Sequence, residues 1–297
     1  MRLQKSKARD LIARASGVAL SFALVAGAVI SQFAPAQAAA LNKKYEYIDT
    51  NYAVPASNVL WVAPDGSNSN SGTEDAPLAT IKQALSKATD GTTIVVKSGI
   101  YREPHFFVTK NNITIQSAPH AEVWLKGSEV VSSSSWTKEG DLWKSTGNYQ
   151  NFCHVCTTNK NPDVEGVAAF PEQVFIDDEA LEQVASKDQV TAGKFYVEDN
   201  TPTTLKVAND NTQGYNIGAQ DEITYYVGSD PTTGTTEVSQ RSRAFSVAGT
   251  VTGFKMKAIN VAQYSPVQVW NFNDPTMSGI AGPMAVTVNG EGSLVEN

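Results

Sequence analysis

The 297-residue sequence predicts an all-β solenoid that starts behind one short helix. Three observations lead there. One amphipathic pattern, "PLATIKQALSKA" (77–88), stands almost alone as helix. Short β-branched segments follow it, and they recur at a period of about 20 residues. Between the two sets of repeats lies a stretch of different texture, rich in hairpin signals.

The chain opens with "MRLQKSKARDLIAR", carrying Arg2, Lys5, Lys7, Arg9 and Arg14, then a 16-residue apolar run and "APAQAAA". A basic region, an apolar region and an A-x-A site at Ala36 and Ala38 mark residues 1–38 as a signal peptide. An uncleaved membrane anchor is the alternative, since the run approaches spanning length; the small-residue motif favours cleavage. No later segment reaches that length. The mature chain, from Ala39, is therefore expected to be secreted, with no membrane span.

Removing the leader leaves 18 Lys+Arg against 29 Asp+Glu, a net charge of −11. Such a chain lacks the cationic surface that neutralises phosphates, which argues against a nucleic-acid partner. An acidic polysaccharide would also be repelled, unless bound cations or a local basic patch reversed the field. Binding to a polyuronate is accordingly expected to need a divalent cation.

Residues 39–59 read as an extended arm. A short strand and a Gly/Ser/Asn loop follow at 61–80, and Leu78, Ile81, Ala84, Leu85 and Ala88 then take helical spacing. "TIVVKS" (93–98), "HFFVT" (105–109), "ITIQSA" (113–118) and "EVWLKGS" (122–128) are close-set strands. Further on, "AFSVAG" (244–249), "FKMKAI" (254–259), "VQVWNF" (267–272) and "MAVTVN" (284–289) repeat their character. Ile94 and Ile113 are 19 apart, and Val247, Val269 and Val288 are spaced by 22 and 19. In a solenoid each coil covers the apolar face of the last, and the helix has a use in covering the first. Residues 129–243 are different. "QVFIDDEALEQV" reads as a hairpin turning at Asp177-Asp178, and "KFYVEDNTPTTLKVA" as another turning around 200–203. This block is expected to be a β-rich insertion packed on the solenoid.

Several of these stretches together resemble a family. "WVAPDGSNSNSGTEDAPLATIKQALSKATDGTTIVVKSGIYRE" (61–103) resembles the N-terminal part of secreted bacterial right-handed parallel β-helix proteins, the pectin-lyase-like group. "VWLKGSEVVSSSSWTKEGDLWK" (123–144), "QVFIDDEALEQVASKDQVTAGKFYVED" (173–199) and "ITYYVGSDP" (223–231) are also similar to it, and "AFSVAGTVTGFKMKAINVAQYSPV" (244–267) is similar to its first regular coils. The resemblance implies a right-handed parallel β-helix with an N-terminal capping helix. It implies a carbohydrate-active protein: a polysaccharide lyase using Ca2+, a glycoside hydrolase, or a relative without a reaction. No catalytic residue transfers, because the family's ligands and bases generally sit on later coils. The chain stops at "GEGSLVEN" within a strand-like pattern. The expected organisation is thus 1–38 signal peptide, 39–59 arm, 60–128 helix and first coils, 129–243 insertion, and 244–297 further coils, truncated. Such a piece is expected to be inactive by itself, and a monomer when full length.

Candidate site residues are few. Cys153 and Cys156 in "NFCHVCTTN" lack the His that haem attachment needs after the second Cys, and a second pair for zinc. In an exported chain they read as a small-loop disulfide. Asp177, Asp178 and Glu179 form an acidic run that hairpin-turn chemistry explains more simply than a calcium site does. Strand alternation turns Gln268 and Trp270 outward if Val267 and Val269 face the core, and Lys255 and Lys257 outward if Phe254 and Met256 do. An exposed Trp beside amide and cationic groups suits a sugar ring, and a lysine there suits proton abstraction beside a uronic carboxylate. Ordinary solvated lysines, and an aromatic covered by the insertion, are the competing reading.

Overall fold

After an extended arm, β1 (Val59–Val62) leads to α1 (Ile81–Lys87). There follow β2 (Thr93–Val96), β3 (Gly99–Tyr101), β4 (Phe106–Val108), β5 (Thr114–Ser117) and β6 (Val123–Lys126). The computed structural model describes residues 47–150, 152, 171–199, 220–265 and 284–297. All of them belong to one unit, Ala39–Asn297. Among them no helix is long and apolar enough to cross a membrane.

Next come β7 (Ser128–Val130), β8 (Thr137–Glu139), β9 (Leu142–Gln150), β10 (Val174–Ile176) and β11 (Glu179–Ala180). β12 (Glu182–Gln183), β13 (Lys194–Asp199), β14 (Gln220–Val227) and β15 (Thr236–Ser239) complete this middle set. The last strands are β16 (Phe245–Val247), β17 (Lys255–Lys257), β18 (Asn260–Ala262), β19 (Val286–Val288) and β20 (Leu294–Glu296). The chain is mostly β, as its composition of short β-branched runs requires.

Pairing divides these strands into two kinds. β1, β2, β5, β17 and β20 form one all-parallel sheet; β3, β6 and β18 form a second; β4, β16 and β19 form a third. The chain visits the three in rotation: β2, β3, β4, then β5, β6 and, after the middle set, β16, then β17, β18, β19, then β20. Parallel neighbours cannot be joined by a tight turn, so the rest of each coil serves as the crossover. Like residues then stack inward. Ile94, Ile115 and Met256 are successive partners, and the Phe106 and Phe245 rings stack 5.5 Å apart. These side chains share one core with Val62, Leu78, Ile81, Leu85, Val247 and Phe254. A corner of the coil runs against Pro64 at Gly99, where a Cβ would strike the proline ring.

The middle set pairs mainly antiparallel. One sheet has the order β11-β10-β15-β7 and the other β12-β13-β14-β9-β8. A separate apolar cluster, with Trp136, Val174, Phe195, Tyr225 and Val227, holds the larger sheet.

Several expectations change in detail. Ile94 stacks on Ile115, not on Ile113. Both isoleucines are buried, and residues two apart on a strand share a face, so same-face spacing cannot detect a slip of two. Val247 pairs directly with Val288, and Val269 lies outside the described residues. The helix is shorter than its apolar pattern. Leu78 bridges Val62 in parallel instead, and Thr80 is the N-cap, its side chain accepting from the Gln83 N–H at 3.1 Å. β13 pairs with β14, and the turn expected around 200–203, with the strand expected after it, lies outside the described residues.

Candidate functional site

The lysines on β17 divide. Phe254 and Met256 are buried, which turns Lys255 and Lys257 away from the core. Lys255 is exposed. Lys257 is half-buried: its Nζ lies 3.2 Å from Glu296 and 4.9 Å from the centre of the Tyr52 ring. The arm explains this, because residues 49–53 lie over the outward side of the first parallel sheet. Ala53 O accepts from Gln116 Nε2 at 3.3 Å, Thr50 O accepts from the His120 N–H at 2.8 Å, and Tyr52 Oη accepts from Asn297 at 2.5 Å. Gln268, Trp270, Cys153 and Cys156 lie outside the described residues.

The acidic run is a hairpin turn. Ile176 pairs with Glu179, and Asp177 and Asp178 both have positive φ, 50° and 67°. That is the geometry of a type I′ turn, which usually takes Asn-Gly or Asp-Gly. Two aspartates hold it here because each carboxylate has partners. Asp177 accepts from the Thr235 N–H at 3.0 Å. Asp178 Oδ1 accepts from Lys126 Nζ at 2.5 Å and from Gln263 Nε2 at 2.9 Å.

Asp178 thereby joins a buried ionic cluster that the sequence reading did not find. Lys126, at the end of β6, is 2% exposed and also bonds Glu237 of β15 at 2.9 Å. Glu237 is 2% exposed and is paired with Arg102, just after β3. Ser128 and Gln263 complete the set, with Ser128 Oγ bonded to Glu237 at 3.2 Å. Burial alone would raise the Glu237 carboxyl; Lys126 and Arg102 outweigh it and hold that carboxyl below its usual range. Two cations meet two carboxylates, so neither acid is left to act as a base. The cluster instead ties the smaller antiparallel sheet to the β3-β6-β18 sheet.

A second buried acid, Glu103, accepts from the backbone N–H groups of Ile81 and Lys82 at 2.7 and 2.9 Å, at the start of α1. Burial raises its carboxyl, and those two bonds offset only part of the rise. Among the described residues no group of three or more His, Cys, Asp and Glu side chains is placed to hold a metal ion. The Asp177–Glu179 run does not fit calcium, since two of its carboxylates already face donors within the protein.

On the third parallel sheet, Phe106, Val108, Phe245 and Val247 point inward and their neighbours point out. Phe107, Ser246 and Thr287 are successive partners on that outer side. Phe107 is 55% exposed, and His105 meets its ring edge-on at 4.4 Å. His105 Nε2 lies 3.0 Å from Ser246 Oγ.

No family model matches the chain. It is 30% identical over 82 residues to an uncharacterized protein, YwoF, of Bacillus subtilis (strain 168), covering 26% of this chain and 18% of that one. It is 38% identical over 73 residues to the pectate lyase PEL9 of Emericella nidulans, covering 24% of this chain and 17% of that one. The matches thus span less than a fifth of either relative. Among solved structures, the chain in the complex structure of XylC with xylose aligns with a TM-score of 0.52 and 20% identity, over 70% of this chain and 35% of that one. At that identity the likeness is one of fold. A glycoside hydrolase aligns with a TM-score of 0.43 and 12% identity, over 71% and 51%.

Proposed function

We propose that the chain is a secreted right-handed parallel β-helix that acts on, or binds, an extracellular polysaccharide. The observation that carries this reading is the rotation of the chain through three parallel sheets. It is supported by the short match to a pectate lyase. Stacked coils repeat outward-facing side chains in rows, a surface suited to a polymer of repeating units. The favoured reactions are calcium-assisted β-elimination and hydrolysis by a pair of carboxylates. Calcium enters from the family resemblance alone. Lys255 is the exposed lysine of the proposed sugar-contacting set with Lys257, Gln268 and Trp270.

One observation favours a second reading, a non-catalytic carbohydrate-binding protein. The buried carboxylates Asp178 and Glu237 are committed to Lys126 and Arg102, and Lys257 to Glu296 and Tyr52. Incubating the purified chain with a panel of polysaccharides separates the readings. New ultraviolet absorbance from an unsaturated uronate, abolished by EDTA, indicates the lyase. New reducing ends without that absorbance indicate the hydrolase. Retention on a glycan without cleavage indicates the binder, and no interaction with any glycan overturns the proposal. Mature protein recovered from the medium and starting at Ala39 is the outcome expected for export.

A further inference from the structure

We propose that residues 49–53 are a strap that shuts a glycan-binding strip on the first parallel sheet, and that a glycan must displace it to bind. The inference rests on the carbohydrate reading above and adds to it a control on access. Val95, Gln116, Lys257 and Glu296 are successive partners on the outward side of β2, β5, β17 and β20. An outward position on a sheet open to water should be exposed, yet Gln116 is 4% exposed. The strap covers it. Ala53 O accepts from Gln116 Nε2 at 3.3 Å, the Tyr52 ring faces Lys257 Nζ at 4.9 Å, and Tyr52 Oη accepts from Asn297 Nδ2 at 2.5 Å. Three polar donors, from β5, from β17 and from just after β20, thus converge on two residues of the strap.

A glycan can satisfy the same donors. Sugar hydroxyl and ring oxygens accept from amide and ammonium groups, so a bound glycan takes over each contact that the strap gives up. The exchange is feasible because the strap is lightly held. Among the described residues one main-chain bond ties 49–53 to the rest of the fold, from the His120 N–H to Thr50 O at 2.8 Å. The other ties run through side chains. Thr50 Oγ1 lies 3.4 Å from Ser117 Oγ, and the Asp49 carboxylate lies 2.9 Å from His120 Nδ1, where both groups are exposed. A segment with so few buried contacts opens at a lower cost than the core unfolds. The contact of Lys257 with Tyr52 is then a property of the closed state. Opening uncovers that side of Lys257, beside the exposed Lys255, and so completes the strip.

The test compares the full chain with its Tyr52→Ala and Tyr52→Phe variants. It measures binding to an oligogalacturonate and to a xylo-oligosaccharide and, in parallel, chymotrypsin cleavage after Tyr47. A closed strap lowers apparent affinity in proportion to the fraction of chains that are open. Tyr52→Ala removes a cation–π contact and a hydrogen bond, and is expected to tighten binding of whichever glycan the wild type takes by about tenfold. Tyr52→Phe keeps the ring over Lys257 and should tighten it less. Cleavage after Tyr47 follows opening. It should be faster in Tyr52→Ala without ligand, and faster in the wild type once glycan is bound. Weaker binding by Tyr52→Ala would overturn the proposal and make Tyr52 part of the glycan site. Binding that is unchanged in both variants, or that leaves wild-type cleavage no faster, would refute the strap and leave the carbohydrate reading intact. Binding of neither glycan by any of the three proteins would overturn the strap's role, and a blank polysaccharide panel would overturn the wider reading with it.

Discussion

Lys126 shows how much a single side chain can hold. Its ammonium is buried between Asp178 and Glu237, and removing it leaves two buried carboxylates short of a partner. Breaking one member of such a set costs more than the intact set contributes. Lys126→Ala is therefore expected to destabilise the fold by about 3–5 kcal/mol in urea unfolding. The pH dependence has a definite sign. The Glu237 carboxyl is held below its ordinary range in the folded state, so its contribution is complete above the unfolded value, near 4.3, and is lost as pH falls through the lower folded value. In Lys126→Ala the acid-unfolding midpoint should move to higher pH. None of this was legible in the sequence. "VWLK" reads as an ordinary strand end, and the partners of Lys126 lie 52 and 111 positions away, beyond any local pattern.

The element most legible in the sequence is α1. Its i, i+3, i+4 spacing foretold the buried face of Ile81, Ala84 and Leu85, because helix periodicity is local. Its start was less legible. Thr80 caps one N–H, but the carboxylate that takes the Ile81 and Lys82 N–H groups belongs to Glu103, 22 and 21 residues further on. Glu103→Ala strands the buried Ile81 donor and the part-buried Lys82 donor and is expected to cost about 1–3 kcal/mol, read as a fall in unfolding temperature. Thr80→Ala should cost about 1 kcal/mol, since the Gln83 N–H that it caps is only part-buried. Equal losses in the two variants would mean that Glu103 contributes no more than the local cap does. The turn at Asp177-Asp178 was legible for the same reason as the helix: a two-residue connection between apolar runs is a local signal. What Asp178 reaches from that turn was not.

At the scale of the whole molecule, the repeating strands were legible and their stacking partners only partly so, because a period of about 20 residues fixes a face before it fixes a register. The stack has one physical consequence at β20. In the inward row Ile94, Ile115 and Met256 are 0%, 1% and 4% exposed, whereas Val295, next in the row, is 52% exposed. Leu294 beside it is 40% exposed, and among the described residues β20 has β17 as its one sheet neighbour and stands at the edge of that sheet. An edge strand bearing exposed apolar side chains is a template for another chain. The net charge of −7 opposes such contact between copies at long range. Salt screens the repulsion and leaves apolar contact in place. Sedimentation of the purified chain should therefore show self-association that grows with concentration and with added salt. Leu294→Lys with Val295→Lys should shift the chain toward monomer under the same conditions, because two charges on the edge must be desolvated before a second copy can pair. Association that salt weakens would identify an electrostatic contact elsewhere on the surface. A wild-type chain that stays monomeric at high concentration and high salt would show that this edge is covered.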